Sequence, residues 1–383
     1  MKEIIILTSL LANLVLQVAP ELAEDGRLDF TGLANKYGYT CEEHNVTTED
    51  GYILKLFHVP GSSSRPILLM HGIIDSADTF IIRGNKSLVA VLASRGYDIW
   101  VGNVRGTQYS RAHTQLDPDK NKEFWDYSYH ELGYYDLPAI IDYILSRTNA
   151  DKLNAIGHSQ GNSIFFVLGS TKPEYNDKVN LLIALAPVGY LTNLPPPWSF
   201  ITRAGNVLNE ILIALDTDEL FNKQLRTVVQ DMCSVETELC ASMLGELGGP
   251  DAEELEPAFI PVLIGHYPIS TSRKNGEHLV QNAMDKKFCK FDYGSKTNME
   301  IYGQKSPPDY DLRKVTMKVA LYGSRNDRLV PVANMKLLEK ELANVVEFRI
   351  IKRRQFNHMD HVWGRNMDKH LFPHVLKTLE KYN

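Results

Sequence analysis

The chain has 383 residues, enough for one large core with an inserted cap or for two domains. Its 44% hydrophobic and 23% charged residues are ordinary for a folded soluble protein. The net charge of -6, with no long basic run, removes the electrostatic case for nucleic-acid binding, and the 12 histidines fall into no recognisable metal-ligand spacing.

In chain order, Lys2 precedes a largely apolar run from Ile4 to Val18, followed by Ala19 and Ala23. Residues 1–19 read as a secretory signal peptide, with cleavage as late as 23; the run is short of the roughly 20 residues a bilayer span needs. Two glycosylation sequons fit that route, Asn45-Val46-Thr47 and Asn85-Lys86-Ser87. Asp50-Gly51 ahead of Tyr52–Phe57 predicts a hairpin. Pro66–Met70 is a continuous apolar run ending at His71-Gly72, as suits a strand buried on both faces. Leu88–Ala93 reads as a helix and Tyr97–Val101 as the next strand. From Tyr135 to Leu145 the apolar residues Leu137, Ile140, Ile141 and Ile144 recur at helical spacing. Leu153–Ile156 leads as a strand into Gly157, Gly161–Val167 continues as a helix, and Leu181–Ala186 is apolar again. Short apolar strands alternating with amphipathic helices predict an α/β class, a mostly parallel sheet covered on both faces, with residues 24–188 as its first part.

The pattern changes near Gly189. Residues 189–305 hold Pro195-Pro196-Pro197, helical stretches such as Val207–Leu215, and the acidic Glu253–Glu256 segment, and read as an inserted, mainly helical cap or lid. Within it Cys233 and Cys240 enclose a short polar segment and are expected to pair; Cys41 and Cys289 either pair or stay as thiols. Strand character returns at Val315–Tyr322 and Val346–Ile351, and Leu371–Tyr382 predicts a closing helix, so that 306–383 completes the core.

Gly157-His158-Ser159-Gln160-Gly161 is a G-x-S-x-G sequence between a strand and a helix. That context is a nucleophile elbow, the sharp turn that lifts a serine hydroxyl above the sheet in the α/β-hydrolase fold. A serine needs a base to become nucleophilic, and this fold places an acid and then a histidine later in the chain. Asp327 follows the Val319–Tyr322 strand and His358 follows the Val346–Ile351 strand, each in a polar loop. Asp327 is expected to orient the base and His358 to act as general acid and base, with His361 and Asp360 as rivals. The oxyanion donors are expected to be the backbone N–H of Gln160 and of Ile73, with Ile74 as the alternative in the same loop. Apolar helical faces in the cap can form an acyl slot over Ser159, or pack the cap on the core.

These motifs, with Glu43–Leu54, His71–Ser76, Gly102–Gly106, Phe124-Trp125, Tyr135–Pro138, Pro173–Tyr175, Lys290–Gly294, Tyr302-Gly303, Pro307-Pro308, Asn357–Asp360 and Trp363-Gly364, resemble the acid lipase family of animals, which includes lysosomal acid lipase and gastric lipase. The resemblance runs from about Tyr37 to the C-terminus and looks like that of an insect member. It implies acyl-enzyme catalysis by Ser159, Asp327 and His358, an oxyanion hole at Ile73 and Gln160, and triacylglycerol or cholesteryl ester substrates. It also implies a mobile lid and no metal or organic cofactor, and it supports the Cys233–Cys240 pairing. The implied setting is lysosomal or extracellular. The expected state is a monomer at a droplet, micelle or membrane surface, with no obligate protein partner. A broad-range carboxylesterase acting on shorter or soluble esters is the alternative. Departures from the family pattern are Ile73 for leucine, Phe80 and Tyr109 for tryptophans, His361 for an aromatic residue, and more closely spaced cap cysteines.

Overall fold

The computed structural model describes residues 22–382. The expected signal peptide at 1–19 lies outside the described residues; Ala23, the later cleavage candidate, directly precedes a short helix Glu24–Arg27.

The frame is an eight-stranded sheet. Strands β1 (Glu42–Thr47) and β2 (Ile53–Val59) form the hairpin expected around Asp50-Gly51. The rest of the sheet is β3 (Ile67–Met70), β4 (Ile99–Gly102), β5 (Leu153–His158), β6 (Val179–Leu185) and then, beyond two short strands described below, Lys318–Gly323 and Val345–Ile350. The lateral order places β3 and β5 at the centre: β1-β2-β4-β3-β5-β6, then Lys318–Gly323 and Val345–Ile350. β2 runs antiparallel to both its neighbours, and the six strands from β4 onward are parallel.

Side chains alternate across the sheet, and both faces are covered. Ile67, Leu69, Ile99, Val101, Ile156 and Ile183 point to one core, where helices Leu88–Ala93 and Phe372–Tyr382 pack. Leu68, Met70, Trp100, Ala155 and Leu182 point to the other, under helices Leu137–Thr148, Gln160–Thr171 and Val332–Glu341. Burial of each such aliphatic side chain is worth about 1.5–3 kcal/mol, which is why these runs are continuous rather than alternating.

The helix expected from Tyr135 begins differently. Leu132–Asp136 forms a π-helical turn and the regular helix starts at Leu137. That turn aims Asp136 into the core, where its carboxylate accepts from Arg105 N at 2.9 Å and Arg105 Nε at 2.7 Å. Arg105 also donates to Asp50 at 2.6 and 2.9 Å. A buried guanidinium shared by two carboxylates fixes the loop after β4 against the hairpin turn.

Between β6 and the strand Lys318–Gly323 the chain is helical, with helices Trp198–Ala214, Lys223–Val235, Thr237–Gly248, Ile260–His266, Arg273–Asp285 and Ser295–Tyr302. β7 (Glu219–Leu220) and β8 (Thr271–Ser272) form a two-residue ladder within it, so the strands after it are β9 (Lys318–Gly323) and β10 (Val345–Ile350). Cys233 and Cys240 form a disulfide that joins Lys223–Val235 to Thr237–Gly248; Cys41 and Cys289 are free thiols. Among the described residues, no helix is long and apolar enough to cross a membrane.

Candidate active site

Ser159 stands between β5 and the helix Gln160–Thr171 with φ 53° and ψ -122°, outside the conformations a side-chain-bearing residue ordinarily adopts. The flanking glycines make that turn possible. A Cβ on Gly161 would stand 2.3 Å from Met70 O and 2.6 Å from His71 O, and one on Gly157 would stand 2.4 Å from Asn162 Oδ1. The turn is held from both sides. Ser159 N donates to Leu185 O at 3.0 Å, while Asn162 N and Nδ2 donate to Ser159 O at 3.0 and 3.2 Å.

His358 lies beside this elbow. Its Nδ1 is 2.9 Å from Asp327 Oδ2, with both residues buried. The other oxygen, Asp327 Oδ1, accepts from Leu329 N at 2.8 Å and Val330 N at 2.6 Å, so the carboxylate is fixed by its own loop. His158 Nε2 donates to His358 O at 3.1 Å, which ties the loop after β10 to the end of β5. Gly248 O accepts from His358 N at 3.3 Å and from Arg328 N at 3.1 Å. The disulfide-bonded helix pair therefore ends on both the acid loop and the histidine loop. Among the described residues no hydrogen bond joins Ser159 Oγ to His358.

The two rivals face elsewhere. Asp360 Oδ2 accepts from Asn357 N at 2.8 Å, and His361 Nδ1 donates to Asn357 O at 2.9 Å. Burial drives Asp360 well above the usual carboxylate range and pushes His361 down to about 4. Burial, reinforced by the neighbouring His358 and His361, likewise holds His158 far below its usual range, so it is a neutral donor.

The loop after β3 closes the other side. A Cβ on Gly72 would stand 3.1 Å from Ser159 Cβ, so a side chain here would crowd the serine. His71 is locked in one tautomer: Nδ1 donates to Gly72 O at 2.8 Å and Nε2 accepts from Val104 N at 3.3 Å. Burial takes its pKa down to about 4, which keeps it neutral. The backbone N–H groups of Gln160 and Ile73 donate to no acceptor among the described residues. Ile74, the alternative donor, adopts φ 51° and its carbonyl accepts from Ile269 N at 2.8 Å.

Comparison with known proteins fits this arrangement. Residues 65–362 match the family described as alpha/beta hydrolase fold, and residues 30–84 match a partial alpha/beta-hydrolase lipase region. Over 363 residues the chain is 39% identical to Lipase 1 of Drosophila melanogaster, covering 94% of this chain and 81% of that one. It is 32% identical over 370 residues to gastric triacylglycerol lipase of Rattus norvegicus, covering 93% and 92%. Lipase member K of Homo sapiens is 30% identical over 373 residues, covering 94% and 92%. The chain belongs to the α/β-hydrolase lipases. A thermophilic esterase from Thermogutta terrifontis shares the fold, with a TM-score of 0.53 at 14% identity over 89% of this chain and 99% of that one.

Three features of this lipase carried no signal in its sequence. Gln160 and Asn275 exchange amide hydrogen bonds at 3.0 and 3.1 Å, so the helix Arg273–Asp285 bears directly on the residue after Ser159. His266 Nδ1 lies 2.9 Å from Asp78 Oδ2 and its Nε2 is 2.7 Å from Asp25 O. Burial opposes charge on His266, but the bond and attraction to Asp78 raise its pKa overall, and both ring nitrogens face oxygen atoms. This pair pins Ile260–His266 to the loop after β3. Finally, Asp75 in that loop is driven up to about 8 by burial and is protonated at neutral pH. The two pairs join residues distant in the chain, and the burial of Asp75 comes from tertiary packing, none of which local spacing reveals.

Proposed function

We propose that this chain hydrolyses lipid carboxylic esters, triacylglycerols or cholesteryl esters, through an acyl-enzyme at Ser159. The observation that carries the reading is the buried Asp327–His358 pair, at 2.9 Å, brought against the strained Ser159 turn. Asp327 holds the His358 ring by Nδ1, leaving Nε2 to take the Ser159 proton as Oγ attacks the ester carbonyl. The N–H groups of Gln160 and Ile73 receive the oxyanion, assisted by the positive end of the helix Gln160–Thr171. Collapse breaks the ester bond, and His358 returns the proton to the departing alcohol. Water, deprotonated by His358, then attacks the acyl-enzyme and releases the fatty acid and free Ser159.

The helical segment 189–305 acts as the lid. Its helix Trp198–Ala214 leaves Phe200, Val207, Leu208 and Ile211 exposed, and Lys223–Val235 leaves Leu225, Val228 and Met232 exposed. Apolar helix faces of this kind suit contact with a droplet, micelle or membrane surface. The enzyme acts as a monomer in the secretory pathway, lysosomal or extracellular; Asn45 and Asn85 are both exposed, as glycan acceptors must be.

The test uses purified protein on emulsified triacylglycerol, emulsified cholesteryl ester and a soluble short-chain ester. Release of long-chain acid from an emulsion is the expected result. Turnover confined to the soluble ester would replace this reading with that of a carboxylesterase.

A further inference from the structure

The β1–β2 hairpin carries a side-chain cluster that ester hydrolysis does not use. The antiparallel register sets Glu42 opposite His58, and the two-residue alternation along β1 puts His44 on the same face as Glu42. Glu42 Oε2 lies 3.2 Å from His58 Nδ1 and 3.3 Å from His44 Nε2, and ligand atoms from all three residues fall within 4.8 Å of one another. A tetrahedral zinc ion with bonds of about 2.05 Å separates its ligands by about 3.3 Å, so the two shorter edges already have that spacing.

The outer atoms of both rings are held. His58 Nε2 donates to Asp98 Oδ1 at 2.7 Å, and Asp98 is itself fixed by Trp100 Nε1 at 2.9 Å and Gly61 N at 3.2 Å. His44 Nδ1 is 3.0 Å from Tyr143 Oη. A carboxylate or hydroxyl on the far nitrogen is how metal-binding imidazoles are oriented and their basicity raised. Both rings also rest on Trp100, His58 stacked at 4.0 Å and His44 tilted at 5.0 Å between ring centroids. His44 Nε2 is buried with no hydrogen bond, although it faces a carboxylate. Protons on the rings would satisfy these contacts pairwise, whereas a cation between the three atoms would engage both imidazole nitrogens and the carboxylate at once. The Glu42 side chain is 51% exposed, which leaves a fourth direction open to water. The like charges that bear on His44 are His58 and, more weakly, Arg147. The three residues meet only through the hairpin, which is why histidine spacing along the chain carries no metal signature.

We propose that Glu42, His44 and His58 bind one divalent transition cation, zinc by ligand preference, which clamps β1 to β2 at the edge of the sheet. The site stands four strand positions from β5, about 19 Å at the usual strand spacing, so it serves stability and not ester cleavage.

The test is equilibrium dialysis of the chelator-stripped full-length protein against Zn2+, with metal analysis, alongside quenching of tryptophan fluorescence by Cu2+. The expected result is a single tightly held zinc, and fluorescence loss from Trp100. Glu42→Gln, a surface change that leaves the core intact, weakens uptake tenfold or more, and Asp98→Asn weakens it by about 10- to 100-fold. His44→Gln abolishes stoichiometric uptake, and ester turnover by Glu42→Gln equals that of the parent with or without metal. Failure of the parent to retain zinc, or equal retention by Glu42→Gln and His44→Gln, overturns the proposal.

Discussion

Replacing His361 by phenylalanine should reverse its effect on stability between neutral and acid pH. The ring is buried, Nδ1 donates to Asn357 O at 2.9 Å, and Nε2 has no partner. Burial lowers its pKa to about 4; the charge on His358 adds to that shift and Asp327 opposes it. An unfolded chain protonates this histidine near its ordinary value of about 6.5. The folded pKa is depressed, so the contribution is fully present above about 6.5 and is lost as pH falls toward the folded value. At about pH 4.5 that loss amounts to about 2.5 kcal/mol for this residue. Phenylalanine does not titrate, but it gives up one hydrogen bond, about 1 kcal/mol. The His361→Phe protein should be less stable than the parent by about 1 kcal/mol at neutral pH, and more stable by about 1.5 kcal/mol at about pH 4.5. Urea unfolding at the two pH values measures both differences. An equal difference at both would show that His361 does not titrate between its folded and unfolded values. Ester turnover of the same variant should stay within an order of magnitude of the parent; collapse of activity would make His361 the base in place of His358.

Other outcomes follow from the same geometry. Asp327→Asn should keep the fold but lower turnover by about 10⁴-fold, because the amide favours the wrong His358 tautomer; the measurement is kcat on a soluble ester. Gly161→Ala should lose both activity and about 1–3 kcal/mol of stability, since its methyl would stand 2.3 Å from Met70 O. Val207→Glu with Ile211→Glu should cut hydrolysis of emulsified substrate while leaving soluble-ester turnover unchanged. Equal loss on both would mean that this exposed face is not the lipid contact.

How much could be read from residues alone depended on how far apart the interacting groups lie. β3, β4, β5 and β6 were legible because burial on both faces demands uninterrupted apolar runs such as Ile67–Met70. The Ser159 turn was legible because close approach to Met70 O and His71 O admits only glycine at 161. The start of the helix at Leu137 was not, because the π-helical turn before it answers to Arg105, a residue from another loop. For the same reason the Gln160–Asn275 amide pair and the His266–Asp78 pair had no local pattern. Sequence order already favoured His358 over His361, three residues on; what the sequence could not show is that only His358 turns its Nδ1 to Asp327, while His361 Nδ1 faces Asn357 O.

The most direct test of serine catalysis is to treat the protein with a fluorophosphonate that mimics the tetrahedral intermediate, and then map the adduct by peptide mass. One phosphonyl group is expected, on Ser159, with hydrolysis of emulsified triacylglycerol lost in proportion to labelling and no turnover by Ser159→Ala. An adduct on another residue, or lipid hydrolysis that survives in Ser159→Ala, would contradict catalysis by Ser159.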